Sequence, residues 1–372
     1  MGAAAELGSG GISKSGPVAA RDSARIFISG HSLTQQPMPD CLCAIAHSLN
    51  TTVEWNRQYI EGSSIRQRTR GLEPNAAGWP GYSEGLNREG AGMNVLDELR
   101  RPRTITAPRY DTLVITEIND LLTTLLANDT VRHLRHFHDR IIAANPAGTT
   151  YFYAPWMHLI DKNDPRRWIA YERAASPLWQ GVVTRINLSL AAEGRADRIG
   201  FLPASAALAQ LVERATQGVG LAGVSGAGVR ATVDSIVADQ VHLTPLGSYY
   251  MALVTYAHVF GRSPVGAWAP EGMGITQAVS LQKLAWDCAL DHHSHNRPWD
   301  LERCRAELLG SFIGLYGRYV RDLNRQQLPV WRAYVRWVRH TMQWRGRFAQ
   351  ANLANPFHHD AAQEAGYWLP PP

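Results

Sequence analysis

The chain is short of cysteine, of lysine and of long apolar runs, and each shortage removes a class of protein. Its four cysteines (Cys41, Cys43, Cys288 and Cys304) are too few and too irregularly spaced for a disulfide framework in 372 residues. No apolar stretch reaches the roughly 18 residues of a membrane-spanning helix, so no transmembrane segment is expected. Only Lys14, Lys162 and Lys283 are lysine among 37 basic residues, and the net charge of +5 is not gathered into one block. A nucleic-acid partner, which calls for a dense basic patch, is therefore not expected. Residues 1–24 are rich in Gly, Ala and Ser without an apolar centre. They do not read as an intact signal peptide; a flexible lead is expected there, and the compartment is not legible.

What is present suits a globular fold: 45% hydrophobic and 19% charged residues, and length for one large domain with an addition. Five short apolar segments read as strands: Arg25–Ser29, Thr52–Asn56, Thr112–Ile118, Thr149–Ala154 and Arg198–Leu202. Helical sequence lies between them, as at Thr130–Ala144 and Pro177–Ala192. Near-continuous apolar strands alternating with helices predict an α/β protein, a three-layer α/β/α sandwich on a parallel sheet of about five strands. Residues 71–92, rich in Gly, Pro and Asn, predict a long surface loop.

After Gly261 the strand signal fades, which predicts a catalytic unit over 25–262 and a helical C-terminal appendage over 263–372. Within the appendage Trp331, Tyr334, Val335, Val338 and Met342 recur at helical spacing, with Arg332, Arg336 and Arg339 on another face. This predicts a basic amphipathic helix packed on the α/β unit or on a second subunit, giving a homo-oligomer through the C-terminal helices. A surface for anionic glycans or lipids is the sharper alternative.

The chemistry begins at Gly30-His31-Ser32-Leu33-Thr34, directly after Ile26-Phe27-Ile28. A serine hydroxyl in a tight turn at the carboxyl end of a strand stands where open α/β sheets hold their reacting groups. Far downstream, Asp239-Gln240-Val241-His242 supplies a carboxylate and an imidazole. A serine is inert at neutral pH until a base takes its proton, an imidazole is the natural base, and a carboxylate fixes its tautomer. Thr244-Pro245 reads as a helix cap and first turn, with helix over Leu246–Val259, so Asp239 and His242 are expected on a loop at a helix entrance. These residues predict a serine esterase.

The ordered blocks resemble the SGNH (GDSL-type) hydrolase superfamily over about Arg25 to Phe260. Gly30-His31-Ser32-Leu33 resembles the first block, with Ser32 in the nucleophile position. Gly62 in Glu61-Gly62-Ser63-Ser64 fits the second and Asn119 in Glu117-Ile118-Asn119-Asp120 the third. Asp239 and His242 match the Asp-x-x-His of the last. The resemblance implies a catalytic Ser32, His242 and Asp239, an acyl-serine intermediate and an oxyanion hole formed by the Ser32 and Gly62 N–H groups and the Asn119 amide. It implies no metal and no organic cofactor.

Two positions depart from the family: His31 stands where Asp is usual, and Glu117 where Gly is usual. Both are expected near the mouth of the site, as substrate-binding residues together with Trp156. The Gly-x-Ser-x-Gly elbow of α/β-hydrolases is absent, because Thr34 occupies its second glycine, which favours a flavodoxin-like arrangement. The expected substrate is a small-molecule or carbohydrate ester with a short acyl group, an acetylated sugar being preferred; the resemblance also admits a lipid or a thioester. Trp79, Tyr82, Trp156 and Trp168 are candidates to stack on the sugar. Two rival readings are an O-acyltransferase using the same triad, and a noncatalytic glycan-binding protein in which His31 and Glu117 have spoiled the site.

Other signals are set aside. Gly218-Val219-Gly220-Leu221-Ala222-Gly223 has the spacing of a dinucleotide fingerprint, but the sequence before it reads as helix rather than strand. Cys288, His292, His293, His295 and Cys304 fit no zinc spacing and read as a polar helix end or loop. His133, His136 and His138 read as a helix surface.

Overall fold

The computed structural model describes residues 20–73 and 77–372. Its sheet consists of β1 (Ser23–Gly30), β2 (Thr52–Tyr59), β3 (Thr112–Thr116), β4 (Thr149–Tyr153) and β5 (Ile199–Leu202). All neighbours are parallel, in the order β2-β1-β3-β4-β5. The register sets Ile26 beside Trp55 and Ile28 beside Val114, with Phe152 beside Phe201. Ile26, Phe27 and Ile28 in β1 and Leu113, Val114 and Ile115 in β3 are buried. That is why these strands read as unbroken apolar runs: both faces of a parallel sheet are covered. Each such side chain contributes about 1.5–3 kcal/mol on burial. The expected lead is shorter than residues 1–24, since β1 opens at Ser23; residues 1–19 lie outside the described residues.

The helices run α1 (Met38–Ser48), α2 (Ile65–Arg70), α3 (Val95–Arg100), α4 (Leu121–Ala127), α5 (Thr130–Ala144), α6 (Arg166–Ala192), α7 (Ala204–Thr216) and α8 (Val229–Ile236). They continue with α9 (Pro245–Phe260), α10 (Ile275–His295), α11 (Leu301–Glu307), α12 (Ile313–Asn324) and α13 (Val330–Phe348). One layer is built on α1 and α9, the other on α5 and α6. α9 is apolar on all sides and almost wholly buried, because α1, α7 and α10 pack around it. α6 starts eleven residues before the expected Pro177, at Arg166, and runs through that proline. The helices after Gly261 share one continuous apolar core with the sheet, through Leu281, Phe312, Tyr316 and Phe348. α11 crosses α6 at Gly181, where a Cβ would lie 2.7 Å from Cys304 Sγ. All four cysteines are free thiols.

The α5 histidines correct an expectation: all three are buried. The His133 ring bonds Thr69 Oγ1 (2.7 Å), His136 bonds the Tyr82 hydroxyl (2.8 Å), and His138 lies between Thr150 Oγ1 and Asp197 Oδ2 (2.8 Å each). The 71–92 segment folds onto α5 through a short 3-10 turn at Pro80–Ser83, and Trp79 stacks on His136 with ring centroids 3.7 Å apart. Residues 74–76 of that segment lie outside the described residues.

Candidate active site

The chain leaves β1 toward β2 on one side of the sheet and returns to β3 on the other, so the strand order reverses between β1 and β3. Ligands of open α/β sheets bind outside the strand ends at such a reversal. Ser32 lies there, opening a 3-10 turn (Ser32–Thr34) that follows β1, and its side chain is partly exposed. The turn is closed by Thr34 N donating to the His31 carbonyl at 2.9 Å. Glycine at position 30 leaves room for the Thr34 hydroxyl, since a Cβ there would sit 2.0 Å from Thr34 Oγ1.

His31 is buried, and its Nε2 donates to the Glu117 carbonyl at 3.0 Å. Burial, then the nearby Arg68 guanidinium, bring its pKa down to about 4, so the ring is neutral at pH 7; the charge of His242 pushes the same way. Glu117 is buried too. Its carboxylate accepts from Ile65 N (3.0 Å), Ile118 N (2.8 Å) and Thr130 Oγ1 (2.9 Å). Burial raises its pKa to about 7, opposed by Arg68 and by those three donors, all of which favour the anion. The two departures from the family pattern therefore stand behind the site. Glu117 ties the first residue of α2 to the segment that carries Asn119.

Arg68, which sequence reasoning passed over, is the centre of this support. Fully buried, it donates from Nε to Ser29 Oγ (3.0 Å), from Nη1 to Ser63 O (2.6 Å) and Ser63 Oγ (2.9 Å), and from Nη2 to the Thr116 carbonyl. One side chain thus fixes the end of β1, the turn after Gly62 and the end of β3. Burial lowers its pKa to about 10, with the Glu117 charge opposing. Gln58 completes the frame, donating to the Arg68 carbonyl at 2.9 Å and accepting from Ser29 Oγ at 3.1 Å. Ser29 and Thr116, polar ends of apolar strands, were the available signal. Gly62 is exposed with φ +56, the left-handed region that glycine enters without cost. Ser64 caps α2 by a capping box with Gln67.

Asp239 and His242 lie on the loop before α9. Asp239 Oδ1 accepts from Val241 N (2.7 Å) and His242 N (2.8 Å), and Oδ2 accepts from His242 Nδ1 (2.6 Å). That assigns the proton to Nδ1 and leaves Nε2 as the acceptor. Partial burial would raise the Asp239 pKa, but these hydrogen bonds and the His242 ring prevail and hold it near 2. The loop is closed by Ala238 N donating to the His242 carbonyl (2.8 Å), and Thr244 caps α9 by accepting from Gly247 N (3.2 Å). Among the described residues no hydrogen bond joins Ser32 Oγ to His242 Nε2. Such bonds are often long without substrate and tighten around it.

His158 was not anticipated, although it follows β4 at the same end of the sheet as Ser32 and Asn119. Asn119 Nδ2 donates to its Nδ1 at 3.3 Å, and burial lowers its pKa, with Asp239 and His242 close enough to act on it. Trp156 is not at the mouth: it is buried, and its Nε1 donates to the Val241 carbonyl at 2.8 Å. Tyr82 and Trp168 are likewise buried, and Trp79 is stacked on His136, so none of the four aromatics is an open sugar platform. The glycine run at 218–223 follows α7 rather than a strand.

No protein-family model and no curated protein matches this chain. Among solved structures it is similar to the crystal structure of a DUF4886 family protein from Bacteroides uniformis, with a TM-score of 0.51 and 14% identity over 74% of this chain and 98% of that one. That likeness extends to the α/β fold.

Proposed function

We propose that the protein is a serine hydrolase of carboxylic esters, working in the manner of the SGNH superfamily. The observation that carries the reading is the His242–Asp239 pair. It leaves Nε2 free to accept a proton, and His242 is near enough to His31, the neighbour of Ser32, for its charge to act on that ring. In this reading His242 Nε2 removes the Ser32 proton as Oγ bonds the acyl carbon. The oxyanion is met by the Ser32 and Gly62 N–H groups and by Asn119 Nδ2, each donor contributing about 100- to 1000-fold. His242 then protonates the leaving alkoxide. Water, deprotonated by the same nitrogen, attacks the acyl-serine; the acyl–Oγ bond breaks as His242 returns that proton to Ser32 Oγ, releasing the acid. Arg68, Glu117, His31 and Trp156 act as positioning residues. A short acyl ester suits the reading; a sugar alcohol has no support from the four buried or stacked aromatics.

The test is p-nitrophenyl acetate hydrolysis from pH 5 to 9 by the parent and by Ser32→Ala. Turnover is expected in the parent and background rates in the variant. Equal rates in both would refute simple ester hydrolysis and favour a transferase that needs an acceptor or a noncatalytic binding protein.

A further inference from the structure

α13 turns an apolar stripe to solvent. At 3.6 residues per turn, Trp331, Tyr334, Val335, Val338 and Met342 fall on one arc, and they are 64%, 39%, 60%, 49% and 70% exposed. A different arc of the same helix does its packing. Ala333, Trp344 and Phe348 are buried, and Trp337 sits on α12 at Gly317, where a Cβ would come within 2.9 Å of its Nε1. The stripe is thus a second apolar face, additional to the one the fold uses. With Leu328 and three arginines, Trp331 and Val335 line a shallow cleft of about 270 Å³. Contiguous exposed apolar surface of this kind marks an interaction site.

Charge selects the occupant. α13 holds five arginines and no Asp or Glu, and Arg332, Arg336 and Arg339 run exposed along one side of the stripe. A second copy of the chain docked through the same face would set arginine against arginine, at a cost. An anionic bilayer satisfies both features: its headgroup boundary accepts the apolar arc and its phosphates the guanidinium groups. We propose that α13 docks this protein onto membrane surfaces that carry anionic lipids. The helix is joined to the candidate active site, because Gln326 just before it bonds Gln240 of the Asp239–His242 loop at 3.1 Å. Arg336 also lies near enough to the half-buried Asp120, next to Asn119, for its charge to act on that carboxylate. Docking would hold that site close to the lipid surface, whatever reaction it performs.

The test is co-sedimentation of the full chain with phosphatidylcholine vesicles, with and without phosphatidylglycerol, at low and physiological salt. Binding is expected on the anionic vesicles only, and to weaken with salt. Arg332→Gln with Arg339→Gln should weaken it about 25-fold, near fivefold per arginine. Val338→Asp with Met342→Asp should weaken it at least about tenfold. These positions are exposed, so unchanged circular dichroism melting shows that the variants fold. Ser32→Ala should bind as tightly as the parent, which separates this result from the hydrolase reading. Absence of binding, binding without preference for anionic lipid, or binding that the Asp variants retain would overturn the proposal. So would a dimer that the Asp variants dissociate, which would give the stripe to a second copy.

Discussion

Replacing Trp156 with phenylalanine isolates the link between the core and the loop that carries His242. The indole is buried and donates to the Val241 carbonyl, one residue from the imidazole. The same segment holds the loop twice more. Leu159 N donates to the Gln240 carbonyl at 2.6 Å, and Lys162 Nζ donates to the Val237 and Ala238 carbonyls at 2.7 and 3.0 Å. Phenylalanine keeps most of the apolar contact and removes the donor. The lost hydrogen bond is worth about 1 kcal/mol, and the stranded carbonyl adds about 1–3 kcal/mol if water cannot reach it. The space left by the smaller ring adds about 1 kcal/mol. The total, about 2–5 kcal/mol, is a measurable share of a usual stability of about 5–15 kcal/mol, and the urea curve gives the fraction that stays folded. If the loop then moves by about 1 Å, catalysis should fall roughly 100-fold, in kcat far more than in KM. Urea unfolding and p-nitrophenyl acetate kinetics on one preparation measure both. Lost stability with parental kcat would refute the positioning role, and unchanged stability would refute the hydrogen bond itself.

Asp239→Asn should leave melting nearly unchanged, since the side chain is mostly exposed and an amide oxygen can still accept from the loop N–H groups. Its kcat should drop about 10⁴-fold through the wrong imidazole tautomer, and a drop under tenfold would argue against the triad. Gly30→Ala should destabilise by about 1–3 kcal/mol through the clash with Thr34 Oγ1. Adding Thr34→Ala should recover most of that in thermal melts; no recovery would mean the clash lies elsewhere. His258 is buried with Nε2 unpartnered, and burial, then the nearby His292, lower its pKa to about 3. A folded pKa below the unfolded value of about 6.5 means its contribution is intact above pH 6.5 and lost as pH falls toward 3. His258→Leu should therefore flatten the stability curve between pH 4 and 6 by up to about 1.4 kcal/mol per pH unit, and an unaltered slope would contradict the assignment.

The strands were legible because burial on both faces writes itself as apolar runs, and α5 because Val131, Leu134, Phe137 and Ile141 keep helical period on its core side. The cap at Thr244 marked the start of α9 to the residue. What periodicity could not show was which polar residues face inward. His133, His136 and His138 are buried because α2, the turn at Pro80–Ser83 and β4 supply their partners. The motif positions of His31 and Glu117 point to the mouth of the site only as long as Arg68 is left out; its buried guanidinium holds the segments behind Ser32 and Gly62. Trp79, Tyr82, Trp156 and Trp168 read as loop or strand-end residues, but Tyr82 and Trp156 find their partners, His136 and the Val241 carbonyl, far along the chain.

Activation of Ser32 as a nucleophile by His242 can be trapped chemically. A fluorophosphonate probe forms a phosphonyl–oxygen bond with an activated serine and expels fluoride. Intact-mass and peptide mapping should place one adduct on Ser32, with labelling abolished in Ser32→Ala and strongly slowed in His242→Ala. An unlabelled parent, an adduct on another residue, or labelling of Ser32 that ignores the loss of His242 would contradict the account.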